Sequence, residues 1–420
     1  MQNFDSRIIN FVKSNFNILD FKNTYLIGIQ HIAPSTSLLF ETLLELGLPP
    51  NHIALLGKCY SSNPVSWHQL RQSGIFVSED SFCFDSYEPY DDLFAGKTRE
   101  FVHQILVDKG FKDAEKIILV DDGGTLLKEC ESLAGQKTQL VGIEQTTSGV
   151  RKIESSPLHF PVINVARSKT KLNHESKFIA RMLLTQFLEY LTSNNITIHN
   201  VLVLGGGYIG RTTHRYLSRF LKVDIYDASP NKSHLTPEEL LSNLPKYDAI
   251  IGCVGNHSFM AECHKYLKEN VYLVSASSSD REFNAVELRR KAERYFNCHK
   301  HLHVNGIKLL NSGFPFNFNS KLRDTTELEL TRSLLLAAIL SATTAQKLPK
   351  RLISLESNLQ KEITNIYLSS FKMKNGLYIS DYEFECVNTY KNVEKGIPAL
   401  TYFKTLRDSS RKQAQAQLAG

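Results

Sequence analysis

Short apolar runs rich in β-branched residues alternate with stretches of helical periodicity through most of the chain. That alternation predicts an α/β architecture. A first series of strands is expected at Tyr25–Ile29, Ile53–Leu56, Lys116–Val120, Leu140–Ile143 and Val162–Val165. A helical stretch over Glu175–Thr192 then leads to a second series, Val201–Leu204, Val223–Tyr226, Ala249–Gly252 and Val271–Ser275. A later helix, Thr325–Thr344, is apolar along Leu328, Leu335, Leu336 and Ile339 and is expected to return the chain to the first domain. The expected division is therefore 1–180 as the first part of a substrate-type domain, 181–324 as a second domain inserted into it, and 325–420 as the return and a C-terminal segment. No internal repeat is present, and the polar stretch Asp408–Gly420 is expected to fray.

Composition narrows the function classes. The chain has 420 residues, 42% hydrophobic and 22% charged, with a net charge of +6. That length allows two or three domains with real cores. No Lys/Arg block is long enough to suggest a nucleic-acid partner. The longest apolar run, around Leu334–Leu340, is too short to span a bilayer, and Met1–Phe16 lacks the unbroken apolar core of a signal peptide. The seven widely spaced cysteines suggest reduced thiols and a cytoplasmic setting.

The second series opens on a recognisable loop. The strand Val201–Leu204 runs directly into Gly205-Gly206-Gly207-Tyr208-Ile209-Gly210, where a helical pattern starts. In a strand–loop–helix of this kind the first glycine makes the tight turn and the second lets backbone approach a pyrophosphate. The third lets helix pack on strand, and the amides at the helix start face the phosphates. The next strand ends at Asp227. A carboxylate there accepts hydrogen bonds from both ribose hydroxyls of an adenosine and repels a 2′-phosphate. Strand, loop, helix, strand and acid together predict a Rossmann-type domain that binds NAD rather than NADP.

Segments outside this loop resemble S-adenosylhomocysteine hydrolase, in that family's order, over about residues 20 to 365. Asp121-Asp122-Gly123-Gly124 is similar to its DDGG motif. The stretch from Gly142 to Val150, with Glu144-Gln145-Thr146-Thr147-Ser148-Gly149, is similar to GISEETTTGV. Pro161–Val165 followed by Ser168, Thr170 and Lys171 resembles PAINVNDSVTK. His31 precedes Phe40-Glu41-Thr42-Leu43 as a family histidine precedes IETL, Gly255-Asn256 resembles TGN, and Leu348-Pro349-Lys350 resembles LPK.

The resemblance implies tightly held NAD, transient oxidation of a ribose 3′-hydroxyl, elimination, water addition and re-reduction. It implies a small-molecule, sugar- or nucleoside-like substrate and a homo-oligomer. By the same resemblance Lys171 eases loss of the hydroxyl proton, Asp122 abstracts a proton beside the ketone, Glu175 bonds sugar hydroxyls, and His31 is an acid/base near the leaving group. Thr146, Thr147 and Ser148 would contact the nicotinamide ribose and carboxamide. Gly205, Gly207, Tyr208, Ile209, Gly210, Asp227, Gly255, Asn256 and Asn317 complete the expected cofactor set.

The departures are equally specific. Gln145 stands in place of a sugar-binding Glu, Ala166 in place of an Asn, and Thr125 in place of an Asp. Ser277-Ser278-Ser279-Asp280 occupies the position of GHFD, so its histidine is absent. Ala33 and Ser35 replace adenine-pocket residues, no HPS motif lies in Asn319–Thr326, and the family's C-terminal Lys/Tyr tail has no counterpart. A site that loses its adenine partners loses discrimination steeply. Three readings follow. The first is an NAD-dependent enzyme acting on another sugar or nucleoside. The second is a non-catalytic NAD-binding regulator or scaffold, and the third a divergent genuine hydrolase. Cys298, His301 and His303 invite a metal reading, but the resemblance makes them a surface hairpin, and no metal is expected.

Overall fold

In a computed structural model, residues 6–16, 20–133, 137–155, 157–255, 259, 261–292, 297–318 and 328–375 are described. The strands, in chain order, are β1 Thr24–Gln30, β2 Ile53–Gly57, β3 Phe76–Val77, β4 Lys116–Asp121, β5 Gln139–Glu144, β6 Val162–Asn164 and β7 Asn200–Leu204. They continue as β8 Lys222–Tyr226, β9 Ala249–Gly252, β10 Val271–Ser275, β11 Leu302–Val304, β12 Ile307–Leu309 and β13 Leu352–Ser354. All nine strands expected from the apolar runs are present, each within about a residue at either end. The chain is α/β, with a parallel sheet and a second, mixed sheet of Rossmann type.

The described residues fall into two compact units. The first holds residues up to Asp85, Tyr90–Glu175, and those from 328 to Tyr367. The second holds Ser86–Pro89, residues 176 to 318, and the described residues after Tyr367.

The first unit is built on a sheet ordered β13-β6-β5-β4-β1-β2-β3, every neighbouring pair parallel. Its central strands are buried along nearly their whole length, as expected where helices cover both faces. The helix Glu329–Thr344 is buried at almost every position and packs on the helix Pro34–Glu45 and on β4 and β5. The residues from 319 to 327, where this helix was expected to begin, lie outside the described residues.

The second unit is a sheet ordered β11-β12-β10-β9-β7-β8, parallel except for the β11–β12 hairpin. Its two faces bury different residues of the same strands. Val201, Ala249, Ile251, Tyr272 and Val274 pack with Leu183, Leu184, Phe187 and Leu188, whereas Leu202, Leu204, Ile250, Val271 and Leu273 pack with Phe283 and Leu288. This is the period-two alternation of a sheet covered on both sides.

The helix expected from Glu175 starts two turns earlier, at Lys169, and runs to Ser193. Glu175 therefore lies inside it, one turn after Lys171. The misplaced start has a local cause. Lys169, Thr170 and Lys171 give no apolar stripe, and the turn is set by Ser168, whose hydroxyl accepts from the Lys171 amide at 3.1 Å. Among the described residues no helix is long and apolar enough to cross a membrane.

Candidate active site and dinucleotide loop

The first unit gathers its polar residues by topology. Parallel strands send the residue after each C-terminal end to one edge of the sheet, and ligands bind there where strand order reverses. β1 is the first strand, with β2 on one side and β4 on the other. The residues one step beyond β5, β4, β1 and β2, four neighbours in the sheet, are Gln145, Asp122, His31 and Lys58. The other three converge on the Asp122 carboxylate, which is 4% exposed. Lys58 Nζ donates to its Oδ1 and Gln145 Nε2 to its Oδ2, and His31 Nε2 lies 3.3 Å from Oδ2. On its other side His31 places Nδ1 at 2.5 Å from Ser61 Oγ.

These contacts set the charges. Burial favours the neutral acid at Asp122, yet Lys58 and His31 outweigh it and hold the pKa well below the ordinary carboxylate value. Burial works against the Lys58 ammonium, but Asp122 overcomes it and holds that pKa above the ordinary value. At His31 burial prevails over Asp122, aided by Lys58 and Arg332, so the pKa is lowered and the imidazole is neutral.

Lys171 and Glu175 join the same neighbourhood. Lys171 Nζ donates to the Gln145 carbonyl and lies 3.2 Å from Glu175 Oε2, while Glu175 Oε1 accepts from Thr331 Oγ1 at 3.0 Å. His31, Asp122, Lys171 and Glu175 are thus brought together within one unit. Among the described residues the side-chain carbonyl of Gln145 is buried without a hydrogen-bond partner. Ser35 meets the Nε of buried Arg332 at 3.1 Å, and Arg332 Nη1 reaches Gln30 Oε1 at 3.0 Å.

A second layer explains why the DDGG and ExTTxGV segments occur together. Asp121 and Glu144 are paired in register across β4 and β5 and are fully buried. Glu144 Oε1 accepts from the Gly123 amide at 3.2 Å and from the Thr146 amide and hydroxyl, both at 2.7 Å. Thr146 in turn caps the helix Thr147–Glu154 through the Gly149 amide. A Cβ at Gly149 would lie 2.3–2.5 Å from the Glu144 carboxyl, so only glycine fits over it. Burial pushes the Asp121 pKa up to about 6, and burial together with Asp121 pushes Glu144 well above its ordinary value. Thr146, Thr147 and Ser148 thus form the start of a helix tied to Glu144.

In the second unit, Gly205 turns with φ +102°, and a Cβ at Gly210 would lie 1.8 Å from the Gly205 carbonyl oxygen. Gly207 and Tyr208 are exposed at the start of the helix Tyr208–Leu217, which has no side-chain cap, and Ile209 is partly buried behind them. Asp227 Oδ2 accepts from the Gly206 amide at 2.6 Å and Oδ1 from the Ser229 amide at 2.8 Å. Burial opposes its ionisation, but these amides and Lys232 lower the pKa. Asn317 is buried, and among the described residues its side-chain oxygen has no partner. Gly255 follows β9, and Asn256 lies outside the described residues. An uncapped helix start, an ionised acid at the end of the second strand and an orphaned amide oxygen fit a dinucleotide.

Several residues escaped the reading of the sequence. Lys58, Ser61 and Arg332 belong to the first unit's polar centre, as do Asp121 and Glu144, which the sequence showed only as motif members. In the second unit Glu282 is fully buried beneath the loop after β9. Its Oε1 accepts from the Val254 and Gly255 amides at 2.6 and 3.0 Å and from Ser277 Oγ at 2.9 Å. Burial pushes its pKa up to about 7 against those hydrogen bonds. Of the serines in the GHFD position, Ser277 therefore serves Glu282, while Ser279 Oγ donates to Asp280 at 3.2 Å. His301 precedes β11 and accepts from the Asn311 amide at 3.1 Å, while His303 is exposed. Among the described residues no group of three His, Cys, Asp or Glu side chains is placed to hold a metal ion.

No known family profile matches the chain. Two proteins of Mycobacterium tuberculosis, both described as uncharacterized, are each 36% identical to it over 326 residues. That match covers 76% of this chain and 64% of each relative, so the chain spans a little under two thirds of their length. Among solved structures the chain is similar to an NAD+-bound 3-phosphoglycerate dehydrogenase of Entamoeba histolytica. The identity is 11% over 79% of this chain and 100% of that one, with a TM-score of 0.39. It is also similar to the A chain of dipicolinate synthase from Bacillus subtilis, at 11% identity over 79% of this chain and 99% of that one, again with a TM-score of 0.39.

Proposed function

We propose that this protein is an NAD-dependent enzyme of the S-adenosylhomocysteine hydrolase type that transiently oxidises a hydroxyl of a sugar or nucleoside other than S-adenosylhomocysteine. The observation that carries the reading is the buried polar centre in which His31, Lys58, Asp122, Gln145 and Lys171 meet at the C-terminal ends of neighbouring parallel strands. A protein kept only as a scaffold has no use for four buried polar side chains and a partly buried histidine beside them, each of which costs desolvation.

The second unit would hold the dinucleotide through the amides of Gly205–Gly210, the Asp227 carboxylate, the loop at Gly255 and the Asn317 amide. Bound NAD would supply a hydride acceptor. The remaining work falls to the chain itself. Lys171, held by the Gln145 carbonyl and Glu175, places a cation where a hydroxyl can lose its proton. Asp122 fixes negative charge beside it, and His31 offers a neutral imidazole. Gln145 keeps a hydrogen-bonding side chain where a carboxylate would favour a different hydroxyl pattern.

S-adenosylhomocysteine itself is a poor fit. Adenine recognition supplies remote binding energy that aligns the ribose, and Ser35 here meets Arg332. The expected result is negligible homocysteine release from S-adenosylhomocysteine, together with reduction of bound NAD by some member of a panel of nucleosides and sugars. Robust homocysteine release would instead favour a genuine hydrolase, and no reduction across the panel would favour a regulator.

A further inference from the structure

We propose that Ser61 and His31 form the proton-transfer pair of the polar centre, with His31 Nδ1 as the proton-accepting atom and Asp122 a fixed anion rather than a base. The inference rests on reading that centre as a reaction site.

The geometry assigns the protons. His31 Nε2 faces the Asp122 carboxylate at 3.3 Å, and a ring nitrogen facing an ionised carboxylate must carry hydrogen. In a neutral imidazole that leaves Nδ1 with a lone pair, and Ser61 Oγ lies 2.5 Å from it. Ser61 is therefore the donor. The other acceptor within its reach, the Lys58 carbonyl, is 3.4 Å away and competes weakly. The His31 backbone is held as well, its carbonyl accepting from Thr36 Oγ1 at 2.5 Å and from the Ala33 amide at 2.9 Å.

Asp122 is unsuited to the role of base. Lys58 saturates one of its oxygens, and Gln145 and His31 share the other. Taking a proton would break at least one of these contacts and strand the Lys58 ammonium in a buried site. Among the described residues the groups facing His31 include Asp122, Lys58, Arg332, Ser61 and the Tyr60 ring. Burial, aided by the two cations, keeps the resting imidazole neutral, and Asp122 stabilises the imidazolium once formed. A hydroxyl or water hydrogen-bonded to Ser61 Oγ would pass its proton to that oxygen while Ser61 passes its own to His31 Nδ1. The products are an alkoxide or hydroxide, Ser61 unchanged, and His31 as imidazolium balanced by Asp122. No electron changes hands.

The test is nitrogen NMR of the full chain labelled at histidine. His31 is assigned by loss of its signals in His31→Asn or, should that variant not fold, by their response to Asp122→Asn. At neutral pH the expected state is neutral, with hydrogen on Nε2. Ser61→Ala is expected to shift the Nδ1 signal and to raise the pH at which His31 protonates, because the donor to the neutral ring is gone. Ser61→Thr, which keeps the hydroxyl, is expected to restore both. Hydrogen on Nδ1, an imidazolium at neutral pH, or an Nδ1 signal indifferent to Ser61→Ala would overturn the proposal. None of these readouts needs turnover, so a failure of the enzyme reading leaves them intact.

Discussion

Lys58 is the residue on which the first unit's centre turns. Its ammonium and the Asp122 carboxylate are both nearly dry, 6% and 4% exposed, so each depends on the other. Breaking a buried pair by removing one partner costs about 3–5 kcal/mol, because the survivor is left as an uncompensated charge. Lys58→Met is therefore expected to lower unfolding stability in urea by that amount, and the double variant Lys58→Met, Asp122→Leu to recover much of it. A single-variant loss under about 1 kcal/mol would place the pair in solvent, as for exposed ion pairs. At this scale the sequence was only partly readable. Asp122, Lys171, Glu175 and His31 were visible because they sit in motifs. Lys58 and Ser61 lie in Lys58-Cys59-Tyr60-Ser61, which matches no motif. Position alone could have found Lys58, two residues past the apolar run Ile53–Leu56 read as a strand. Glu144 was visible as part of a motif, but its task of tying two turns together needs three-dimensional neighbours.

The elements were legible where apolar runs were unbroken, as in β1, β2, β4, β7, β9 and β10. The two-residue β3 and the three-residue β11, β12 and β13 carry too few residues to show a period and exist through pairing with longer neighbours. Helix ends can also be fixed by a distant side chain. The helix Glu329–Thr344 shows this at its C-terminus, which lies where the apolar pattern placed it, at Thr344. Lys116, the first residue of β4, donates to the carbonyls of Ala342, Thr343 and Ala345 at 3.1, 2.7 and 2.9 Å. A cation there satisfies carbonyls the helix cannot and complements its dipole. Lys116→Met keeps the aliphatic stem and is expected to cost about 1–2 kcal/mol. Thermal unfolding measures it, and no change in Tm would mean that water serves those carbonyls equally well.

Across the whole molecule, buried acids make stability depend on pH, and Glu282 is the cleanest case. Its pKa is raised to about 7 by burial, against roughly 4.3 in an unfolded chain. A carboxyl raised on folding contributes stability that is complete below the unfolded pKa and is lost as pH rises through the folded one. Between about pH 5 and pH 8 the protein thus loses the contribution of Glu282, whereas a glutamine in its place would not titrate. The difference in Tm between Glu282→Gln and the parent chain should move in favour of the variant as pH rises over that range. A constant difference would mean that Glu282 is already ionised at pH 5. Comparing the two proteins cancels the opposing effect of partly buried neutral histidines such as His31 and His264, whose lowered pKa values act in the other direction.

The central claim is that the second unit serves NAD, and titration of the full chain with NAD and with NADP tests it most directly. The Asp227 carboxylate, ionised and already oriented by the Gly206 and Ser229 amides, would pair with ribose hydroxyls and repel a phosphate. NAD is expected to bind more tightly than NADP. Asp227→Ala is expected to weaken NAD by roughly 10- to 100-fold, as for loss of a charge-assisted hydrogen bond, and to narrow the gap to NADP. Equal or tighter binding of NADP, or no binding of either dinucleotide, would contradict the account.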